Sequence, residues 1–159
     1  MMSTPRTYEI LAIDDNEADL RLIQEAFAEC GHSCHLTCTN SIHDTVKILQ
    51  TETFDLVLSE MGPTCEGSEL VRVIRGDDRR RATPIIVLSA IIDPSPAYAA
   101  GANAFVAKGA DLDTFFARIR DVMHFWVNVA ELPLRKHHER SNADLSKAAC
   151  HHRGMSGDL

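Results

Sequence analysis

The sequence predicts an α/β domain built on a doubly wound, five-stranded parallel sheet. Three observations predict it. Short apolar, β-branched-rich runs alternate with segments whose apolar residues recur at helical spacing. That alternation calls for parallel strands with helices on both faces. The chain has 159 residues, enough for one ordinary domain with its own core.

The elements follow in order. Tyr8-Glu9-Ile10-Leu11-Ala12-Ile13 is the first strand and ends at two aspartates. Leu20, Ile23, Ala26 and Phe27 form the apolar face of a first helix over residues 17–30, with Asp15 or Asn16 as its N-cap and Gly31 as its C-cap. Ser33 to Cys38 is the second strand. Ile42, Val46 and Leu49 mark a second helix capped by Ser41. Phe54 to Leu58 is the third strand, and Leu70, Val73 and Ile74 are the face of the third helix. Pro84 to Leu88 is the fourth strand. Residues 94–100 allow only a short fourth helix, with Pro94 and Pro96 in its first turn. Asn103 to Ala107 is a weaker fifth strand. Leu112, Phe116, Ile119 and Met123 start a long last helix that is expected to run to about Glu131.

Composition narrows the function classes. Formal net charge is −7, split unevenly. From Pro133 onward there are five basic and three acidic residues, so this 27-residue tail carries +2 and residues 1–132 carry −9. An acidic body lacks the clustered Lys and Arg of a nucleic-acid surface. No apolar run approaches the ~20 residues of a membrane span, and the start MMSTPRTYEI lacks the pattern of a secretory signal. Five cysteines without an export signal point to reduced thiols in a cytoplasm. The expected division is a domain over 1–132 and a flexible or partly helical tail over 133–159, with no separate output domain.

In a parallel sheet the site lies at the carboxyl ends of the strands. Asp14 and Asp15 follow the first strand, Ser59 and Glu60 end the third, Ser89 ends the fourth and Lys108 the fifth. Three carboxylates on one rim repel one another unless a cation or the lysine joins them. An oxygen-rich cluster of that kind suits Mg²⁺. A hydroxyl and an ammonium opposite could hold phosphoryl oxygens.

These residues resemble the receiver domain of two-component response regulators. The resemblance rests on Ile13-Asp14-Asp15-Asn16, Asp55 to Glu60, Glu66-Gly67 with Glu69-Leu70, Pro84 to Ala90, and Gly101 to Lys108, and covers roughly residues 7–131. It implies the (βα)5 flavodoxin-like receiver fold. It also implies that Asp14 and Asp15 organise Mg²⁺, with Glu60 and the Gly62 carbonyl beside them. By the same resemblance Ser89 engages a phosphoryl group and Lys108 pairs with phosphoryl and carboxylate oxygens. Phe105 matches an aromatic that swings between rotamers. The ending, with Phe125-Trp126 and then Leu132-Pro133, is similar to stand-alone regulators partnered with phytochrome-type histidine kinases.

The acceptor position is Glu60, where the family has aspartate. Glutamate is one methylene longer, and displacing a nucleophile on that scale costs ~10²-fold or more. Ordinary phosphorylation is therefore not expected. Glu60 is expected to place a fixed −1 charge partway toward the phosphoryl position, either mimicking the active state or pairing with Lys108 and freezing an inactive one. Gly109 stands where the family usually has proline, so that loop is expected to differ. The fourth helix is expected to be stunted.

The expected function is a non-enzymatic, atypical stand-alone receiver whose output is binding a histidine kinase or another signalling protein. The alternatives are a phosphorylatable receiver and a small flavodoxin-like enzyme or cofactor binder. No Gly-rich phosphate loop follows the first strand, which disfavours the latter. Val122, Phe125, Trp126 and Val129 repeat at helical spacing and form a stripe that covers either the core or a partner, such as a second copy. Cys30, Cys34 and Cys38 with His32 and His35 are read as structural rather than metal-binding. His137, His138, Cys150, His151 and His152 in the tail are read as part of a flexible segment.

Overall fold

The computed structural model describes residues 5–29, 31, 33–60, 62 and 66–135. The tail from 136 onward, Cys30 and His32 lie outside them. Five strands alternate with five helices: β1 Tyr8–Ile13, α1 Glu17–Ala28, β2 Cys34–Thr39, α2 Ile42–Thr51, β3 Leu56–Ser59, α3 Glu66–Gly76, β4 Ile85–Ser89, α4 Ser95–Ala100, β5 Ala104–Ala107 and α5 Leu112–Met123. The sheet is parallel throughout, in the order β2-β1-β3-β4-β5. β1 and β3 are neighbours although the chain visits β2 between them. Their carboxyl ends thus flank the switch point.

The central strands are buried on both faces because each face carries its own core. Ile10, Ala12, Leu56, Leu58, Ile86 and Leu88 face α1 and α5. Leu11, Ile13, Val57 and Ile85 face the side of α2 and α3. Successive side chains point to opposite faces, so a two-sided core demands uninterrupted apolar runs.

Asn16 caps α1, its side chain accepting from the Ala18 and Asp19 amides. Ser41 caps α2 by accepting from Asp44. α1 stops at Glu29 with right-handed geometry, so Gly31 is not its C-cap. The left-handed glycines among the described residues are Gly101, which ends α4, and Gly109. On α3 the core is reached by Leu70, Val71 and Ile74, while Val73 is exposed. On α5 it is Phe115, Ile119, Val122 and Met123, with Leu112 turned to solvent at the helix start. α4 has six residues, as its two prolines and the close Gly101 dictate. Arg75 braces this short segment, donating to the carbonyls of Gly101 and Thr83 and to Asn103 Oδ1 at 2.6–2.9 Å.

The last helix does not continue as an α-helix to residue 131. It changes at His124 into a π-helical turn over His124–Val129, closed by the Ala130 amide on the Phe125 carbonyl. The wider turn breaks the phase on which the apolar stripe was drawn. Val122 and Val127 enter the core, Trp126 packs against its edge, and Phe125 and Val129 remain half exposed.

At the amino ends of the strands a second polar cluster closes the fold. The Asp55 carboxylate is fully buried. It accepts from Arg6 at 2.5 Å, from the Glu9 amide at 2.7 Å and from Arg135 at 3.0 Å. Arg6 also reaches the Pro133 carbonyl. The segment after the last helix is thereby strapped under the sheet, and Leu132 is buried there.

Candidate functional site

The rim is built by short backbone links at the strand ends. The Glu60 amide donates to the Ile13 carbonyl at 2.8 Å, which holds the end of β3 beside that of β1. Asp14 donates through its amide to Thr39 and accepts the Asn16 amide at its own Oδ1, 2.9 Å away. Lys108 follows β5 and its amide donates to the Ser89 carbonyl. Four strands therefore deliver their terminal groups to one place.

Lys108 lies at the centre. Its Nζ is 2.7 Å from Asp14 Oδ2, 2.6 Å from Asp19 Oδ2 and 2.9 Å from Glu60 Oε1. An ammonium has three N–H donors, and all three are engaged. The ring of Phe115 lies 5.6 Å from the same nitrogen, a cation–π contact. Burial disfavours a charged lysine, but Asp14, Asp19 and Glu60 outweigh it and raise its pKa.

Glu60 is the perturbed acid of the rim. Burial first, then the neighbouring Asp14 and Asp15 side chains, push its pKa up to about 8, with Lys108 opposing. A cation among these carboxylates would relieve their mutual repulsion.

Asp14, Asp15 and Glu60 each offer an oxygen, all within 4.8 Å of one another. This hard, all-carboxylate set fits Mg²⁺ or Mn²⁺. The acids open onto a cavity of about 480 Å³ that Gly62, Gly67, Asn40, Ser41 and His43 also line. Ser89 is fully buried at the end of β4, its hydroxyl accepting from the Ile91 amide at 3.1 Å. Phe105 is half-buried against Val87, Ala97 and Ala102, and its amide donates to the Tyr98 hydroxyl.

The sequence model of the response regulator receiver domain matches residues 10–120. The chain belongs to this family. Receiver domains are signalling modules of two-component systems, and they bind Mg²⁺ or Mn²⁺ in an acidic pocket at the strand ends. The receiver is 30% identical over 109 residues to the sensory/regulatory protein RpfC of Xanthomonas campestris, covering 65% of this chain and 15% of that protein. It superposes on the crystal structure of the phosphorylated cyanobacterial phytochrome response regulator RcpA with a TM-score of 0.76 and 26% identity, covering 81% of this chain and 100% of that one. The Mn²⁺-bound form of the response regulator Rcp1 gives a TM-score of 0.74 at 22% identity, covering 80% and 99%.

Asp19 escaped the sequence reading. It sits at the third position of α1, where an acid reads as ordinary helix-start chemistry. The signal was available: Asp19 lies four residues after Asp15, one turn above the rim. Among the described residues, Cys34 and Cys38 are in no disulfide, His35 pairs with Glu9 at 2.7 Å, and the metal-ligating group of three or more side chains is that of the rim acids.

Proposed function

We propose that this receiver is an atypical, non-enzymatic signalling module that is not phosphorylated in the ordinary way and acts by binding a histidine kinase or another signalling protein. One observation carries the reading. Glu60, at the acceptor position, bonds Lys108 at 2.9 Å, and the lysine has no donor left for a phosphoryl oxygen. The longer side chain spends its reach on Lys108 rather than on an in-line approach to a donor. Of the two roles open to Glu60, this contact supports the lock over the mimic.

Asp14, Asp15 and Glu60 would hold Mg²⁺, with Gly62 on the same cavity wall. The ion would supply charge neutralisation for the acids. Ser89 would face any incoming oxyanion, Lys108 would do so only once one of its carboxylate contacts opens, and Phe105 would report the state of the rim through its packing on Ala97 and its bond to Tyr98. Cys34 and Cys38, in no disulfide, are in keeping with a cytoplasmic setting. Among the described residues no helix is long and apolar enough to cross a membrane. Phe125 and Val129, exposed on the π-helical turn, are the apolar surface for a partner or a second copy.

Acetyl phosphate with Mg²⁺, followed by intact mass, tests the reading. The wild-type chain is expected to gain no phosphoryl mass. A phosphoryl adduct that disappears in Glu60→Gln would establish the phosphorylatable alternative instead.

A further inference from the structure

We infer that Asp19 is a positioning residue, which holds the Lys108 ammonium on the first turn of α1 and so withholds it from an incoming oxyanion. The inference rests on the Glu60–Lys108 reading and adds α1 as a second control over the same lysine.

The geometry is specific. Asp19 Oδ2 is 2.6 Å from Lys108 Nζ, the shortest of the three carboxylate contacts, and its side chain is only 15% exposed. The two residues are 89 positions apart, so the bond ties α1 to the loop between β5 and α5. The turn that carries Asp19 is itself fixed, because the Asp19 amide donates to Asn16 Oδ1 at 3.4 Å and the Asn16 amide donates to Asp14. Two of the three partners of Lys108, Asp14 and Asp19, thus share one strand-to-helix turn. Glu60 and Asp14 together occupy two of the three donors of the ammonium, and Asp19 takes the third. Charge supports the same role. Asp19 adds a fourth carboxylate to a rim with one lysine, which disfavours the approach of an anion. A partner that displaces the first turn of α1 would release a lysine donor without touching Glu60.

The test reads the lysine directly. Full-length protein labelled with ¹⁵N-lysine is examined by ammonium ¹H–¹⁵N correlation at fixed pH and low temperature, and Lys108→Arg assigns the signal. In the wild-type chain the Lys108 ammonium is expected to exchange its protons more slowly than the other lysines. Asp19→Asn, which keeps size and removes charge, is expected to speed that exchange about tenfold or more, as loss of a charge-assisted bond implies. Asp19→Glu is expected to preserve part of the protection. Titration with inorganic phosphate should shift the Lys108 signal at about tenfold lower concentration in Asp19→Asn than in wild type. A wild-type ammonium exchanging like a surface lysine, or an Asp19→Asn variant unchanged in both measurements, would overturn the role of Asp19. Phosphoryl labelling of the wild-type chain would overturn the Glu60 reading and leave these measurements standing.

Discussion

Gly109 and Thr114 approach so closely that a Cβ built on the glycine would lie 2.7 Å from Thr114 Cγ2. Gly109 also has φ of +88°, in the region that L side chains rarely adopt. The loop after Lys108 therefore turns by a left-handed glycine, and all described peptide bonds are trans. Gly109→Ala is expected to cost about 1–2 kcal/mol from the backbone alone, with the clash added. Adding Thr114→Ser, which removes the methyl, should recover the second part only. Urea denaturation of the two variants separates them.

Glu60 makes stability depend on pH. Its carboxyl is raised from 4.5 to about 8 in the folded chain, chiefly by burial and by Asp14 and Asp15. The folded state therefore binds more proton than the unfolded state across that window, and the contribution of Glu60 to stability declines as pH rises through it. In chelator, Glu60→Gln should melt at a higher temperature than wild type at pH 9 and gain little at pH 5. Equal melting differences at both values would mean that the carboxyl is not perturbed.

Asp55 is the buried counterpart at the other pole. Asp55→Ala removes the shared acceptor of the Glu9 amide, Arg6 and Arg135, leaving Arg6 its carbonyl contacts to Leu132 and Pro133. Breaking a buried pair by removing one partner costs about 3–5 kcal/mol. Arg6 and Arg135 are partly solvated, so the lower end is expected, read as a fall in the urea midpoint. The Lys108 ammonium signal should not move, since the cluster lies at the opposite end of the strands.

Phe125 and Val129 are exposed beside Trp126, which meets Phe125 edge-on at 5.2 Å. If this surface takes a second copy, Phe125→Ser should shift the chain toward monomer in sedimentation at micromolar concentration, with melting temperature nearly unchanged. Val122→Ser should instead lower stability, because that side chain is in the core.

Much of the rim was legible because its chemistry is local to strand ends. An apolar run stopping at Asp14-Asp15, another at Glu60 and a third before Lys108 can be read without coordinates. What these groups bond was less visible. Lys108 finds Asp14 from 94 residues away, and nothing in either local pattern announces it. Asp19 was hidden by a role that acids play at many helix starts. Asp55 was read into the third strand, which starts at Leu56, and its partners Arg6 and Arg135 lie in segments without periodicity. The π-helical turn was illegible for a further reason. Val122, Phe125, Trp126 and Val129 satisfy α-helical spacing, and the lost phase shows only in the backbone bonding of the π-helical turn, as in the Ala130 amide on the Phe125 carbonyl.

The strap under the sheet has a practical consequence. Arg6 and Arg135 converge on one carboxylate, so the two ends of the described fold leave from neighbouring points on the pole away from the acidic rim. A short peptide joining these points would cyclise the domain with little distortion, and a circular permutant could be opened in an exposed loop instead. Reporter proteins fused at both ends would sit side by side there. Their energy transfer would then register opening of the strap while the rim stays free to meet its partner.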